Sequence, residues 1–316
     1  MSAVLSIIIV NWNTRELLQD CLTSVYTTVG AINAEVIVVD NGSTDGSIEM
    51  LLSRFPDVLL VRNKRNRGFA AANNQAIKLS NGKYHLLLNS DTIVHEGVLE
   101  QSLRYMEHHP SVGVMGCRVL NTDGTVQLSC SGFPSLLNLA ILMTGLWKLG
   151  WPVFFDRYQM RRWDRSDERD VEVVSGCYML VRAQAVNEVG LLDEDFFFFG
   201  EETDWCRRFQ NAGWGLRFVP VGDITHHGGA SAKKLNYKRD LMLTSATVRL
   251  HFKHGGRAAG AVAWLLLLGF NTSRALFWTI VALLTGNCIS KERRNHFWQV
   301  VRHHGQAWST GRTLQL

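Results

Sequence analysis

The stretch that most constrains this chain is an apolar run between Tyr84 and Thr92, Y-H-L-L-L-N-S-D-T, which ends abruptly in polar residues. Three consecutive leucines predict a strand buried on both faces, as in a parallel sheet. In open α/β sheets, ligands bind beyond the carboxyl ends of the strands. Asp91 is therefore predicted to lie at the sheet edge beside a ligand, although an Asp after a strand is equally typical of a plain turn.

The residues before this strand alternate between apolar strands and helices, which predicts βαβ units, a parallel sheet and the α/β class. Strands are predicted at Val4–Val10, Glu35–Val39 and Val58–Val61. Asn13 is expected to cap the first helix, with Glu16 in capping-box position. A second helix is predicted to end near Arg54, and Asn66-Arg67-Gly68-Phe69 is predicted to open an Ala-rich helix that ends near Leu79.

The carboxyl ends of these strands are predicted to share one edge of the sheet. That edge collects Asn11, Asp40, Asp45, Asn66, Gly68 and Asp91. The sequence contains neither G-x-G-x-x-G after the first strand nor G-x-x-x-x-G-K-[ST], so a nucleotide would be bound through acidic and amide side chains. Asp40 can accept hydrogen bonds from a base N–H or a ribose hydroxyl. The alternative is that D-N-G-S-T-D-G, residues 40–46, is only a tight turn with a helix cap.

Composition restricts the class of partner. The 316 residues are 46% hydrophobic and 19% charged, with a net charge of +5, which is typical of a globular protein. This surplus does not indicate nucleic-acid binding and suits an anionic substrate or membrane surface. The 6 cysteines include no C-x-x-C pair, which argues against a zinc site or a disulfide framework and favours a reducing compartment. The N-terminus lacks a charged n-region and is interpreted as the first strand, not as a signal peptide.

A second polar cluster follows four phenylalanines, Phe196–Phe199. Glu201, Glu202 and Asp204 come next in the sequence G-E-E-T-D-W. Apolar surroundings and a neighbouring like charge both raise the pKa of a carboxyl group, which suits a general base near neutral pH. Acidic residues are also favoured at a helix N-terminus, and both interpretations can hold together.

Adjacent histidines mark a third candidate site. His226 and His227 precede two glycines after a short strand predicted at Leu216–Val219, so imidazole and backbone can approach a metal or a phosphate. Strand character is also predicted for Val112–Gln127 and Val171–Val181, and the densely charged stretch Arg157–Asp170 is predicted to be a surface loop.

Three apolar stretches suggest contact with a membrane. Phe133–Phe155 is too short for a confident span and is interpreted as a buried or interfacial helix. Ala258–Phe270 and Ala275–Ile289 are separated by Asn271–Arg274 and flanked by basic residues. Helices that lie in the membrane interface fit this pattern. A dimer interface and a helical cap on the core are the alternatives.

Seven motifs in order carry a resemblance to glycosyltransferase family 2, and within it to the bacterial rhamnosyltransferases of cell-surface polysaccharide synthesis. The resemblance covers roughly residues 4–255. The motifs are I-I-I-V-N-W-N, V-V-D-N-G-S-T-D-G-S, N-R-G-F-A-A-A-N-N, L-L-L-N-S-D-T, S-G-C-Y-M-L-V-R, F-F-F-F-G-E-E-T-D-W-C-R-R and H-H-G-G-A-S.

The resemblance implies a GT-A fold, a Rossmann-like, mostly parallel sheet flanked by helices, and inverting transfer of a sugar from a nucleotide diphosphate. Implied nucleotide-sugar contacts are Val10, Asn11, Asn13, Asp40, Asn66, Gly68, Asn89, Ser90 and Asp91. Asp91 and His226 would hold Mg²⁺ or Mn²⁺. Glu202 would be the catalytic base, with Glu201 as the alternative. Implied acceptor contacts are Phe199, Asp204 and Trp205.

Two positions depart from the family pattern. The D-x-D motif is Asn89-Ser90-Asp91 here, so one carboxylate is missing and metal affinity is expected to be weaker. The usual Glu-Asp is Glu201-Glu202, so the base is one methylene longer. Gln159-Met160-Arg161-Arg162-Trp163 spells the Q-x-x-R-W of processive synthases, but it precedes the base motif and is interpreted as chance.

The resemblance also implies an organisation and a substrate pair. Residues 1–232 would form the catalytic domain, and residues 233–316 a helical region that associates with the cytoplasmic face of the bacterial inner membrane. The expected donor is dTDP-L-rhamnose, and the expected acceptor is N-acetylglucosaminyl-diphosphate-polyprenol. Other nucleotide sugars such as a UDP-hexose, a processive synthase and a non-enzymatic nucleotide-binding module are the alternatives. A homodimer whose interface is formed by the apolar helices is the alternative to membrane association.

Overall fold

The computed structural model describes residues 3–145, 153–228 and 236–315. The chain forms two compact units. The first comprises Met1–Gly132, Gln159–Asp193 and Glu201–Ala230, and the second comprises Phe133–Tyr158, Glu194–Gly200 and Ser231–Leu316. The second unit therefore includes two segments from the middle of the sequence. The predicted boundary at residues 232 and 233 lies outside the described residues, and the assignment of catalytic and membrane-associating parts stays a prediction.

The first unit is built on a mixed sheet. In chain order its strands, with those of a small two-stranded sheet, are β1 (Leu5–Asn11), β2 (Ala34–Asp40), β3 (Leu59–Arg62), β4 (Tyr84–Asn89), β5 (Thr92–Val94), β6 (Val112–Leu120), β7 (Cys130–Ser131), β8 (Arg169–Asp170), β9 (Val173–Val174), β10 (Tyr178–Arg182) and β11 (Gly215–His226). Its helices are α1 (Arg15–Thr28), α2 (Ser47–Arg54), α3 (Phe69–Leu79), α4 (Val98–His108), α7 (Ala183–Val189) and α8 (Glu201–Asn211).

The strand order of the large sheet is β3-β2-β1-β4-β10-β6-β11-β5 within the described residues, with β8 paired to β11. The strands β3, β2, β1 and β4 are mutually parallel. Only β10 runs opposite to the others between β3 and β11. The predicted α/β class with a mostly parallel sheet is therefore confirmed, and the carboxyl ends of β1, β2 and β4 share one edge.

Alternate residues of each strand fill two cores, one on each face of this sheet. Ile7 and Ile9 of β1 pack in the core that contains α1, α2 and α4, whereas Ile8 packs in the core that contains α3 and α8. Leu86 and Leu87 of β4 separate in the same way. The continuous apolar runs of the sequence follow from this burial on both faces.

Three predicted strands have clearly different bounds from those expected. Strand character was predicted for Val112–Gln127, but β6 ends at Leu120 and a turn follows. Val171–Val181 is divided between β9 and β10 at Gly176. The strand expected at Leu216–Val219 is the much longer β11, whose pairing with β6 shifts register between Phe218 and Asp223. Pro220 and Gly222 lie inside that shift, because a bulge accommodates residues that a regular ladder excludes.

The charged stretch Arg157–Asp170 is not simply a surface loop, which corrects the prediction. Trp163 and Arg165 are buried within it. The Arg165 guanidinium donates to the backbone carbonyls of Met160, Trp163 and Cys130. The charge is tolerated inside because backbone carbonyl oxygens accept hydrogen bonds from both terminal nitrogens of the guanidinium.

The second unit is helical. Its helices are α5 (Leu136–Thr144), α6 (Val153–Asp156), α9 (Tyr237–Thr285) and α10 (Cys288–His303), followed by a short 3₁₀ helix (His304–Ala307). A non-helical residue, Gly256, divides α9 into two parts. Contacts of Arg293 with Trp278 and of His304 with Trp264 show that α10 runs antiparallel to the second part of α9.

The polar residues Asn271–Arg274 do not separate two helices, contrary to the sequence prediction. Asn271 Nδ2 donates to Leu267 O at 2.9 Å, and Ser273 Oγ donates to Phe270 O at 2.8 Å. Such bonds to the preceding turn let polar side chains remain inside a helix. Among the described residues, α9 is the one helix that is long enough and apolar enough to cross a membrane, judged by length and composition alone. Of its most apolar 18-residue stretch, 17% is buried.

Candidate active site

The carboxyl ends of β1, β2 and β4 are joined by a chain of side-chain hydrogen bonds. The Asn11 amide nitrogen donates to Asp40 Oδ2 at 2.9 Å, and Thr14 Oγ1 donates to Asn11 Oδ1 at 2.7 Å. Thr14 Oγ1 also lies 2.9 Å from Ser90 Oγ. Asn11 is opposite Asp40 in the β1–β2 register, so the parallel pairing brings donor and acceptor together. Asn11, Asp40 and Ser90 are therefore neighbours at the predicted edge. Val10, one residue earlier in β1, packs on the sheet core.

The loop after β2 folds back on the Asp40 carboxylate. Asp40 Oδ1 accepts hydrogen bonds from the backbone N–H groups of Gly42 at 3.1 Å and Ser43 at 2.9 Å. Gly42 has φ +85°, and a Cβ at this position would lie 2.9 Å from the Cα of Arg65. Only glycine fits there. The turn interpretation of this segment is correct, and recognition of a base by Asp40 stays a prediction.

Asn13 does not cap the first helix, which corrects the sequence prediction. It has φ +54°, and its Oδ1 accepts from Thr44 N–H at 2.8 Å. Helix α1 begins at Arg15, whose N–H donates to Asp45 Oδ2 at 2.8 Å. The first turn of α1 is therefore satisfied by a carboxylate from the loop after β2, so the predicted edge residue Asp45 has a structural role.

Asn41 connects the loop after β2 to the loop before α3. Its Nδ2 donates to Asn66 Oδ1 at 3.0 Å and to Gly68 O at 3.2 Å. Its Oδ1 accepts from Arg67 N–H at 3.1 Å. Asn66 and Gly68 are therefore held at the end of β2, at the edge where the sequence predicts them.

Asp91 faces His226 where β5 pairs with β11. Thr92 is opposite His226 in the register, and the His227 N–H donates to Asp91 O at 2.9 Å. His226 Nε2 lies 3.1 Å from Asp91 Oδ1 and 3.1 Å from Asn89 Nδ2. The imidazole beside Asp91 is therefore that of His226, and His227 contributes its backbone.

Asp91 and His226 fit a divalent cation. Two cis ligands of an octahedral ion at about 2.1 Å lie about 3 Å apart, and Asp91 Oδ1 and His226 Nε2 are separated by 3.1 Å. Imidazole nitrogen and carboxylate oxygen are both suitable donors for such an ion. The described residues contain no group of three or more His, Cys, Asp or Glu side chains that could hold a metal. Water and a phosphate-bearing ligand would therefore complete the coordination.

Glu201 and Glu202 open α8 as a coupled carboxyl pair. Glu201 is 3% exposed, and burial raises its pKa well above the ordinary value, as does the neighbouring Glu202. Burial also raises the pKa of Glu202, but backbone N–H groups of Glu202 and Gly176 and the Glu201 side chain stabilise its charged form. The pair is expected to share one proton, held mainly by Glu201, with Glu202 as the carboxylate.

The peptide Gly176–Cys177 joins this pair to the end of β4. Glu202 accepts from the backbone of Gly176, and Cys177 O accepts from Asn89 N–H at 3.3 Å. Oε2 of Glu202 and Oε2 of Glu201 are both buried, and neither has a hydrogen-bond partner among the residues that the structure describes. A buried acceptor without a donor is costly in a core. In an active site, such an oxygen can accept the proton of a substrate hydroxyl, as a general base does.

The three predicted acceptor contacts have other environments. Asp204 is fully buried and accepts from Arg208 Nε at 2.9 Å, and Trp205 is fully buried and donates to Gly190 O at 2.8 Å. Their burial favours structural roles, and their contact with an acceptor stays a prediction. Phe199 belongs to the second unit, has φ +69° and stacks edge-on with Phe198 at 4.4 Å between ring centroids. Its contact with an acceptor stays a prediction.

Sequence reasoning missed several residues of the site. Thr14 and Ser43 join the strand ends, and Asn41 positions the loop before α3. Gln127 contacts both the ring and the backbone of His226. Asn41 and Ser43 lie inside the motif V-V-D-N-G-S-T-D-G-S, but as turn residues they were given no role of their own. Thr14 and Gln127 lie outside the quoted motifs, and only the turn signal T-D-G shortly before Gln127 indicated a hairpin.

Comparison with known proteins places these motifs in a family. The family described as Glycosyl transferase family 2 matches residues 6–190. An N-acetylglucosaminyl-diphospho-decaprenol L-rhamnosyltransferase of Mycobacterium tuberculosis is 30% identical over 205 residues, which is 61% of this chain and 66% of that protein. The O-antigen biosynthesis protein RfbC of Myxococcus xanthus is 28% identical over 206 residues, 63% of this chain and 15% of that protein. The chain thus covers just under two thirds of the rhamnosyltransferase.

The fold is shared with a solved transferase. A mannosyltransferase of Pyrobaculum calidifontis, in complex with GDP-Man and Mn²⁺, matches with a TM-score of 0.57 at 14% identity, over 96% of this chain and 87% of that chain. At this identity the likeness concerns the fold alone, and it confirms the predicted architecture.

The carboxyl pair makes stability depend on pH. The folded pKa of Glu201 is raised, so above about pH 4.5 the unfolded chain loses this proton while the folded chain keeps it, and stability falls as pH rises. Glu201→Gln removes that cost. We expect its melting temperature to match the wild type near pH 4.5 and to exceed it by a few degrees near pH 8. Glu16→Gln, an exposed glutamate in the first turn of α1, is the control. An equal loss of stability at both pH values would contradict the shared proton.

Proposed function

Because this chain belongs to glycosyl transferase family 2 and has the GT-A fold, we propose that it is an inverting glycosyltransferase. It transfers a sugar from a nucleotide diphosphate to a hydroxyl of a lipid-linked acceptor. The likeness to bacterial rhamnosyltransferases that its motifs indicated is confirmed by the Mycobacterium tuberculosis relative. The proposed setting is the synthesis of a cell-surface polysaccharide.

One observation supports this proposal best. The Asp91–His226 pair and the Glu202 carboxylate are both linked to the end of β4. Asp91 follows that strand closely, and Glu202 is connected to Asn89 through the two-residue segment Gly176–Cys177. When a hydroxyl displaces a diphosphate, the charge on the leaving group must be neutralised and the hydroxyl must lose its proton. The reaction therefore requires two neighbouring sites, one for each task.

The side chains support the following mechanism. The loops after β2 and β3 hold the nucleotide, with Asp40 and Asn66 as candidate contacts. A divalent cation at Asp91 and His226 would neutralise charge on the leaving diphosphate. Glu202 takes the proton from the acceptor hydroxyl, and that oxygen attacks the anomeric carbon from the face opposite the diphosphate. The products are an inverted glycoside and a nucleoside diphosphate, and Glu201 holds the neighbouring proton, which keeps Glu202 the basic member of the pair.

We propose dTDP-L-rhamnose as donor and a polyprenyl-diphosphate-linked N-acetylglucosamine as acceptor. The name of the Mycobacterium tuberculosis relative gives L-rhamnose as its sugar and N-acetylglucosaminyl-diphospho-decaprenol as its acceptor. A lipid-linked acceptor requires access to a membrane, which we propose to be the cytoplasmic face of the inner membrane, where nucleotide sugars are made.

The second unit offers a surface for that membrane. Leu276, Ile280, Leu283, Leu284 and Ile289 are more than half exposed at the end where α9 meets α10. Lys291 and Arg293 follow on α10 and are also exposed. Exposed leucines beside basic residues are typical of a segment that enters the headgroup region of an anionic bilayer.

The donor and metal assignments are tested together. Purified enzyme is assayed for nucleoside diphosphate release with a panel of nucleotide sugars, with and without EDTA. We expect turnover with dTDP-L-rhamnose that EDTA abolishes and Mn²⁺ restores. Asp91→Ala should lose turnover while its circular dichroism and melting curve stay near those of the wild type. Turnover that survives EDTA or Asp91→Ala would refute the metal site; release from another nucleotide sugar alone would replace the donor.

Glu202→Gln tests the base. The amide keeps the size of the side chain and cannot accept the proton, so kcat should fall about a hundredfold or more while the donor KM changes little. Glu201→Gln is the matched comparison and should retain most activity. Normal turnover in Glu202→Gln with an inactive Glu201→Gln would assign the base to Glu201.

Liposome flotation tests the membrane surface. The protein should float with vesicles that contain anionic lipid, less with neutral vesicles, and less again at high salt, because each basic residue near the surface contributes about 1 kcal/mol. Leu283→Ser with Leu284→Ser should reduce flotation, whereas Leu52→Ser, an exposed leucine on α2 of the first unit, should not. Absence of flotation in the wild type would favour a dimer interface, which sedimentation would detect.

A further inference from the structure

Gln127 lies on the return strand of a tight hairpin that follows β6. Asn121 N–H donates to Thr125 O at 2.7 Å, which closes the turn N-T-D-G-T, and Gln127 N–H then donates to Val119 O at 2.8 Å. The neighbouring residue Leu128 is 47% exposed, whereas Gln127 is partly buried. The alternation along this strand therefore directs Gln127 inward, toward β11.

The amide of Gln127 has a defined orientation. Its Nε2 lies 2.8 Å from Asn121 Oδ1 and 3.0 Å from the carbonyl oxygen of His226. Both partners are acceptors, so the atom between them must be the amide nitrogen. The remaining atom, Oε1, lies 2.9 Å from His226 Nδ1. Because a carbonyl oxygen only accepts, Nδ1 of His226 carries a hydrogen.

In the neutral ring, this hydrogen determines the state of the other ring nitrogen. A neutral imidazole that is protonated on Nδ1 has a lone pair on Nε2. Nε2 lies 3.1 Å from Asp91 Oδ1 and 3.1 Å from Asn89 Nδ2. Without Gln127, the proton could move to Nε2, which would donate it to Asp91. Neither His226 Nε2 nor Asp91 Oδ1 would then be free to bind a cation.

We propose that Gln127 is a positioning residue that keeps His226 in the Nδ1–H tautomer, with Nε2 directed at the Asp91 carboxylate. It acts through His226 and touches neither substrate nor cation. The cation itself rests on the proposed function, but the tautomer does not. Outer partners of a ligand histidine usually change metal affinity about 10-fold to 100-fold when they are removed.

The first experiment measures the tautomer without metal. Imidazole ¹⁵N–¹H correlation spectra of the wild type are recorded near pH 8.5, about two units above the ordinary histidine pKa, and His226 is assigned with His226→Gln. We expect the Nδ1–H form. Gln127→Met, which has similar size and no carbonyl acceptor, should shift His226 toward the Nε2–H form. Leu128→Ala is the control for disturbance of the hairpin.

The second experiment measures Mn²⁺ affinity by electron paramagnetic resonance, with dTDP present. Gln127→Met should bind Mn²⁺ about 10-fold or more weakly than the wild type, whereas Leu128→Ala should not. An unchanged Nδ1–H tautomer in Gln127→Met would overturn the inference. A shifted tautomer in a protein whose wild type binds no Mn²⁺ would support the positioning role of Gln127 and refute the metal of the proposed function.

Discussion

The hydrogen bond between Asn11 and Asp40 is the contact on which the ligand edge of the sheet depends. Both side chains are fully buried at the ends of neighbouring parallel strands, where an unpaired amide or carboxylate is costly. Asn11 satisfies Asp40 with its nitrogen and receives Thr14 with its oxygen, and Thr14 reaches Ser90. Three strand ends are therefore fixed relative to one another before any ligand binds, and Asp91 follows the last of them.

A second constraint is burial of the carboxyl pair. Two adjacent glutamates in the first turn of a helix benefit from its free N–H groups, yet burial disfavours two negative charges. Sharing one proton resolves this conflict, and the backbone of Gly176 selects Glu202 as the charged member. The same peptide contacts β4 through Cys177 and Asn89. The sheet that orders the edge predicted to bind a nucleotide therefore also sets the position of the proposed base.

Local patterns predicted the elements that are buried on both faces. The strands that end at Asn11, Asp40 and Asn89 follow from apolar runs and turn residues, and their common edge follows from parallel pairing. Contacts between distant segments were not predictable in this way. Asn13 was expected to cap α1, but Asp45 accepts the hydrogen bond from the first N–H group of that helix, because the loops after β1 and β2 lie next to each other. Arg165 is buried among carbonyls that no sequence period reveals, and the bulge in β11 depends on its neighbour β6.

The two departures from the family motifs are each matched by a partner. Asn89 stands where the D-x-D motif has its first carboxylate, and its amide lies beside His226 Nε2, so the lost charge is replaced by a contact that helps to hold the imidazole. Glu202 is longer than the usual aspartate, but the backbone N–H of Gly176 stabilises its charged form. Because Gly176 has no side chain, it also leaves room for the ring of Phe69. In both cases a residue change in the motif is coupled to a neighbour outside it. Such positions therefore need to be compared as pairs, because the motif residue alone does not describe the charge or the hydrogen bonds of the site.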